Sequence, residues 1–279
     1  MSASPLDHIV QHPIKTVEAE PGLLTPAGEI TVFSDHISMI ALAGLLLILA
    51  VPWAIGRRTG VNNLVPVGLG NAIEFVCAFL REHVGRPYLG DYTDRFIPYV
   101  WSVFFFILTM NLLGMLPLAA IFPAFSDLHI GGTATANIWV TATMASLSLV
   151  MIVFNGLRIG RMDFIAHLCP GPLWLAPLLV PLELVGYLAK TFALAVRLFA
   201  NMVAGHTLLA VLVSFILTAG TALGTLGGLA LSLPIVLGSV AINMLELLVA
   251  VIQAFVFTYL TAAFIGGAIS FHHHEAAAH

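Results

Sequence analysis

Three ionisable residues recur at intervals of seven in an otherwise apolar stretch: Glu183, Lys190 and Arg197. A helix turns about 100° per residue, so a spacing of seven returns to within roughly 20° and places all three on one face. An ionisable group at membrane depth costs between about 2.5 and more than 10 kcal/mol. Arg197 cannot avoid this cost by losing its proton, because guanidinium stays charged in proteins. Water, a partner carboxylate or both must therefore solvate it, as in a pathway that moves ions.

The neighbours of Arg197 on its own helical face are all small: Ala189, Ala193, Ala200 and Ala204. Stripes of small residues let another helix approach closely in lipid. We therefore expect a surface against which a partner packs or slides. A structural arginine that extends to the membrane interface, or that pairs with Glu183 or Glu246, would also explain the pattern.

A second candidate group surrounds a cluster of glycines at positions 220, 224, 227 and 228, which predicts a turn. His206 and Glu246 each lie twenty residues from position 226, so an antiparallel hairpin brings them to one level. The same register places Gln253 opposite Arg197. A histidine beside a carboxylate can relay protons near neutral pH, although a purely structural pair stays open. Asn111 completes the set, and a bond to a neighbouring backbone would explain it equally well.

Composition indicates which solvent these residues face. The 279 residues are 59% hydrophobic and only 9% charged, against about 25% charged in soluble domains. Cys77 and Cys169 suggest neither a disulfide framework nor a metal site. Walker, dinucleotide, HExxH and GxSxG motifs are absent from the sequence, and we expect no metal, cofactor or nucleic-acid partner.

The apolar runs predict an all-α integral membrane protein with about five membrane-embedded helices and one amphipathic surface helix at about 65–88. Charge-free runs long enough to span a bilayer are Ile37–Gly56, Phe96–Ser126, Ile130–Leu157, Thr207–Leu245 and Leu247–Phe271. Residues 183–217 contain no proline and would form about 50 Å of helix, against about 30 Å of hydrocarbon. We therefore expect the last two helices, about 176–271, to form a steeply tilted hairpin.

Basic residues predict the orientation. Seven of the ten lysines and arginines lie in two loops, at positions 57, 58, 81, 86, 95, 158 and 161. The positive-inside rule places these loops in the cytoplasm. The polar arm of residues 1–36 is then outside, the membrane domain is 37–271, and the His-rich tail of residues 272–279 is cytoplasmic.

Three motifs resemble subunit a of the F-type ATP synthase. They are KTFALAVRLFANMVAGHTLL (Lys190–Leu209), QAFVFTYLT (Gln253–Thr261) and MNLLGMLP (Met110–Pro117), and the resemblance extends from about Asp35 to Ser270. It implies a non-catalytic, proton-conducting stator subunit in the bacterial inner (plasma) membrane. The implied partners are the rotor ring of c subunits, the peripheral-stalk b subunits, the lipid bilayer and protons. H⁺ and Na⁺ both stay open as the coupled ion.

The resemblance also assigns roles to individual residues. Arg197 matches the family's essential arginine, which faces the rotor carboxylate and separates two half-channels. The positions that line the outer half-channel correspond to Asn201, His206, Glu246 and Gln253. Those near the cytoplasmic half-channel correspond to Glu183 and Lys190.

The sequence departs from the best-known bacterial members at two places. They carry Glu where His206 stands and His where Glu246 stands, so the pair is exchanged here. Thr135 stands where some relatives have an aspartate. Two other function classes stay open: a secondary transporter that binds an anion at Arg197, which should show inverted repeats, and an intramembrane hydrolase that uses Ser214 and His206.

Overall fold

The structure, a computed structural model, describes residues 13–18, 29–56, 58–59, 65–66, 68–116, 134–160 and 176–269. Within these residues, five helical stretches are long and apolar enough to cross a membrane. They are Asp35–Gly56, Leu69–Met115, Ile138–Ile159, Pro177–Leu212 and Ser232–Ile269. The all-α membrane fold is confirmed. The tail of residues 272–279, Cys169 and much of the arm of residues 1–36 lie outside the described residues.

The helices follow one another along the chain, and short strand pairs lie between them. The α-helices are α1 Asp35–Gly56, α2 Leu69–Leu80, α3 Arg86–Leu89, α4 Thr93–Met115, α5 Ile138–Asn155 and α6 Ala176–Ile269. A π-helical turn at Arg81–Gly85 and a 3₁₀ turn at Gly90–Tyr92 connect α2, α3 and α4. A 3₁₀ turn at Ala134–Ala136 precedes α5, and a π-helical turn at Gly156–Gly160 follows it.

Two short antiparallel strand pairs were not predicted from the sequence. Strand β1 (Pro13–Glu18) pairs with β2 (Glu29–Ser34), and β3 (Arg58–Thr59) pairs with β4 (Val65–Pro66). The β2 sequence EITVFS is rich in β-branched residues, which favour strands. Both pairs lie outside the five candidate spans, so the membrane domain is helical as expected.

The predicted amphipathic segment at 65–88 is helical from Leu69 to Leu89. Leu80, Val84 and Leu89 are buried, whereas Glu74 and Glu82 are exposed. The polar side is held by ion pairs, with Arg86 to Glu82 at 2.8 Å and Arg81 to Asp94 at 2.5 Å. Part of the predicted apolar stripe is therefore buried, whereas Phe79 of that stripe and Phe75 are exposed.

Helix α6 turns back on itself. The His206 Nε2 and Glu246 Oε1 atoms lie 3.7 Å apart, whereas a straight helix would separate these residues by about 60 Å. The backbone is helical throughout Ala176–Ile269. The predicted reversal and the pairing of His206 with Glu246 are therefore found, and the backbone is assigned as helix on both sides of the glycines and across them. The steep tilt stays a prediction.

The chain divides into two compact units. The first contains Met1–Gly44, Leu108–Thr141 and Arg197–Gln253, and the second contains Leu45–Ile107, Ala142–Val196 and Ala254–His279. In the first unit, Ala136, Met202 and Ala250 form a buried apolar cluster with Met115 and Val203 packed against it. Small residues at two of the three central positions allow close helix contact without hydrophobic driving force.

In the second unit, the segment after α2 packs closely against the end of α6. The Tyr88 and Tyr259 hydroxyls share a hydrogen bond, and their ring centroids lie 5.0 Å apart, edge to face. A Cβ at Gly266 would collide with the carbonyl carbon and oxygen of Tyr88. Backbone cannot move aside as a flexible side chain can, so this contact requires glycine at position 266.

Replacing Gly266 with Ala should therefore loosen the contact between this segment and α6. We expect a destabilisation of about 1–3 kcal/mol, the usual cost of inserting a methyl group into a tightly packed site. The measurement is the thermal unfolding midpoint of the purified protein in mild detergent. Gly267→Ala is the matched control, because a Cβ there has no neighbour within 4 Å; equal midpoints for the two variants would contradict the close packing.

Candidate functional site

Arg197 lies on an open face of α6. Its side chain is exposed, and so are all the alanines that the sequence placed on the same face: Ala189, Ala193, Ala200 and Ala204. Within the described part of the chain, Arg197 makes no hydrogen bond and no ion pair. Among the described residues, a permanent cation therefore stands on a helical face of small residues without a partner.

This geometry disfavours one structural explanation of Arg197. An arginine that held the helices together would pair with Glu183 or Glu246. Among the described residues neither pairing occurs, and Glu246 instead contacts His206. The partner that solvates Arg197 must then come from outside these residues, as water, lipid or another protein.

The His206–Glu246 pair forms the buried centre of the site. The Nε2 to Oε1 distance of 3.7 Å is an ion-pair distance and too long for a good hydrogen bond. Both carboxyl oxygens of Glu246 are buried and have no hydrogen-bond partner among the described residues. Gly205 makes room for this carboxyl group, since a Cβ there would lie 2.7 Å from Oε1.

Asn111 of α4 contacts the part of α6 that carries Glu246 and Gln253. The Asn111 amide donates to the Ala250 carbonyl oxygen at 3.4 Å and is fully buried. Ala250 is four residues after Glu246 and three before Gln253, so these residues share one helical face. The backbone bond considered for Asn111 is therefore found, and it joins Asn111 to the helical face that carries Glu246 and Gln253.

Many polar side chains in the described helices bond to their own helix, whereas several at the candidate site do not. Hydroxyl groups that donate to carbonyls three or four residues earlier belong to Ser102, Thr141, Ser148, Thr191, Thr207, Ser214, Thr218, Ser239 and Thr258. Buried atoms of the first unit without a hydrogen-bond partner include Asn111 Oδ1, Thr135 Oγ1, Gln253 Nε2 and both Glu246 oxygens. Buried polar groups are nearly always hydrogen-bonded, so ordered water is the expected partner for this set.

Glu183 and Lys190 belong to the second unit, whereas Arg197, Asn201, His206, Glu246, Gln253 and Asn111 belong to the first. Asn201 is half-buried and Glu183 is partly exposed. The exposed Lys190 ammonium lies 5.1 Å from the Tyr187 ring centroid and 5.4 Å from that of Phe264. Both rings belong to α6, as Lys190 does, so these cation–π contacts stabilise the ammonium charge within the helix hairpin.

The hydrolase interpretation of Ser214 and His206 is not supported. The Ser214 hydroxyl donates to the Val211 carbonyl oxygen at 2.7 Å, so it is held by its own helix. Within the described residues, no group of three or more His, Cys, Asp or Glu could hold a metal ion.

Sequence reasoning missed two features of the site. Gly205 directly precedes His206 in the chain and therefore also lies against Glu246. The hairpin register could have predicted this contact. Thr135 was noted only as a departure from a related pattern, yet it is fully buried with an unpartnered hydroxyl. Its burial had no signal in the sequence, since a single threonine in an apolar region is usually bonded to its own helix.

Comparisons with known proteins match these motifs to one family. The sequence profile of the family described as ATP synthase A chain matches residues 37–266. ATP synthase subunit a from Anaeromyxobacter dehalogenans (strain 2CP-C) is 38% identical over 247 residues, covering 86% of this chain and 58% of the relative. ATP synthase subunit a from Myxococcus xanthus (strain DK1622) is 38% identical over 262 residues, covering 92% and 79%.

ATP synthase subunit a 2 from Chlorobaculum tepidum (strain ATCC 49652 / DSM 12025 / NBRC 103806 / TLS) is 37% identical over 238 residues, covering 84% of this chain and 62% of the relative. Several of the curated relatives are therefore longer than this chain, which spans between 52% and 62% of the length of the Anaeromyxobacter and Chlorobaculum proteins.

The contact between Gly205 and Glu246 yields a test of the site that removes no polar group. Gly205→Ala should displace the flexible end of Glu246 while the helices stay packed, because a carboxyl group can rotate away from the new methyl group. We expect slower proton flux through membranes that contain the protein, with normal protein levels. Gly238→Ala is the control, since a Cβ at Gly238 has no neighbour within 4 Å. Unchanged flux in Gly205→Ala would mean that the position of the carboxyl group does not matter.

Proposed function

Because the chain belongs to the family described as ATP synthase A chain, we propose that it is the proton-conducting stator subunit of a rotary ATP synthase. One observation carries the proposal most directly. Arg197, a permanent cation, is exposed on an alanine face and has no partner among the described residues of its own chain. A cation on such a surface suits a moving partner that brings a carboxylate.

The proposed partner at this face is a ring of c subunits. A rotor carboxylate that approaches Arg197 is drawn into its ionised form by the guanidinium charge and releases its proton. After nearly a full turn it takes up a proton from the other side. The alanines keep the surface flat, so successive ring helices can pass close to Arg197. The membrane potential contributes about 2.3 kcal/mol per charge per 100 mV to the movement.

The outer half-channel is proposed to follow the buried polar groups of the first unit. Asn111 contacts the face of α6 that carries Gln253 and Glu246, and all three side chains have buried atoms without a hydrogen-bond partner among the described residues, which water would satisfy. A water-filled path along them would supply protons to the His206–Glu246 pair, whose 3.7 Å separation admits proton exchange through small movements. Asn201, between Arg197 and His206, would continue the path toward the rotor.

The inner half-channel is proposed to include Glu183 and Lys190. Lys190 is held between two aromatic rings and keeps a positive charge beside this path. Arg197 would separate the two half-channels, because a fixed positive charge repels protons that might otherwise leak directly between them. The subunit itself performs no covalent chemistry in this scheme.

The orientation is also a proposal. The basic residues Arg57, Arg58 and Arg158 support cytoplasmic loops, an outer N-terminus and a cytoplasmic C-terminus in the inner membrane. Peripheral-stalk b subunits would hold the subunit against rotation. A secondary transporter that binds an anion at Arg197 would require discontinuous helices at the site, whereas α6 is helical throughout.

Arg197→Ala should abolish ATP-driven proton pumping in an assembled complex, because the cation that ionises the rotor carboxylate is gone. Arg197→Lys should also fail, since a desolvated lysine can lose its proton and lacks the planar fork of arginine. The measurement is acidification of inverted membrane vesicles after ATP addition. Arg158→Ala, which removes another exposed cation, should pump normally. Near-normal pumping by an assembled Arg197→Ala complex would refute the mechanism.

The exchanged pair allows a second test. His206→Glu places two carboxylates together, and Glu246→His leaves two imidazoles without an acid. Each single change should slow proton flux, whereas the double exchange restores one acid and one base and should recover part of the rate. Flux is compared for all four proteins at one membrane potential. A double mutant as slow as the product of the two single defects would show that the residues act independently.

A further inference from the structure

A second acid–base pair is buried at the start of α1. Asp35 and His36 are each only 2% exposed, and the Asp35 Oδ1 atom lies 3.3 Å from His36 Nδ1. The same oxygen accepts the His36 backbone N–H at 2.8 Å. Two adjacent ionisable side chains are thus removed from solvent together, and burying a charge is costly unless it is paired or hydrogen-bonded.

An acidic residue in the first turn of a helix often has a purely structural role, because it interacts favourably with the helix dipole. That role is fulfilled at the surface and needs neither burial nor a histidine. The neighbouring Ser34 is 1% exposed, and its hydroxyl has no hydrogen-bond partner among the described residues. Ser38, by contrast, donates its hydroxyl to the Ser34 carbonyl oxygen at 3.2 Å. An unsatisfied buried hydroxyl beside the pair indicates a place for water.

The pair belongs to the same compact unit as the proposed outer half-channel. The titratable groups in the described parts of that unit are Lys15, Glu18 and Glu29 in β1 and β2, followed by Asp35, His36, Arg197, His206 and Glu246. Asp35–His36 and His206–Glu246 are the carboxylate–imidazole contacts among them. Both contacts set a carboxyl group beside an imidazole, the side chain whose ordinary pKa lies closest to neutral.

We propose that Asp35 and His36 form a second proton-exchanging pair, which takes up protons at the outer end of the half-channel and passes them through water toward His206 and Glu246. The inference rests on the proposed function, because it assumes proton flow from the side of the N-terminal arm. In the proposed orientation, the first residue of α1 lies near the outer membrane surface, on the side from which protons would reach the pair through water. The only bonds made and broken are those between the transferred proton and its donor and acceptor.

The test measures passive proton flux through the assembled membrane sector in vesicles, at a series of outer pH values with the inner pH held constant. Asp35→Asn and His36→Gln should each reduce the flux on the order of tenfold, less than a positioned acid–base group contributes in catalysis. They should also change how the flux depends on outer pH. The dependence on inner pH should stay as in the unchanged protein. Asp35→Glu, which retains a carboxyl group, should recover part of the flux and of the outer pH dependence.

Two controls separate the possible outcomes. Ser38→Ala removes a nearby buried hydroxyl that is already satisfied by the backbone, and it should keep the original profile. If Asp35→Asn and His36→Gln assemble and match Ser38→Ala in rate and pH dependence, the proposal is wrong. If neither variant assembles, the pair is structural and the proposal is equally wrong. Arg197→Ala, measured for ATP-driven pumping in parallel, reports on the proposed function alone, so failure there is distinguishable from failure at Asp35 and His36.

Discussion

The lack of water in the hydrocarbon layer is the constraint on which the rest of the structure depends. Every polar group at that depth must find its partner within the protein or keep access to water. Most hydroxyl groups in these helices meet the requirement locally, as Thr191 and Thr258 do by donating to their own helix. Among the described residues, Arg197 and the carboxyl oxygens of Glu246 make no such hydrogen bond, and Glu246 lies at an ion-pair distance from His206.

The reversal of α6 brings polar residues from its two arms together and so forms the candidate site. It sets His206 against Glu246 and places Gly205 where the carboxyl group needs space. The burial of Glu246 follows from the fold-back, and so does its position on the face that Asn111 contacts through Ala250. Arg197 remains outside this packing on the alanine face. One bent helix thus carries both the buried contact of His206 with Glu246 and the exposed cation of Arg197.

Sequence patterns predicted the parts that follow from local rules. Apolar runs identified the spans because the bilayer sets a minimum length, and spacing identified the Arg197 face because helical geometry is regular. The hairpin register followed from the glycine cluster. The β1–β2 pair and the burial of Asp35 and His36 could not be predicted, because the hydrophobic pattern reports local spacing and does not say which segments pair or which side chains become buried. Gly266 is a further case, since only the approach of Tyr88 reveals why a side chain is excluded there.

The exchange of acid and base between the two arms of α6 illustrates how packing and chemistry constrain each other. The proposed proton relay needs one carboxyl group and one imidazole at this level, and its chemistry does not depend on which arm of α6 carries which group. Packing does depend on which arm carries the carboxyl group. With the carboxyl group on the later arm, the earlier arm must present a small residue against it, and Gly205 does so directly before His206. The imidazole can then approach from the next position without displacing the carboxyl group. The order of the pair is therefore tied to the glycine beside it, and a change in one residue alone disturbs a fit that involves all three.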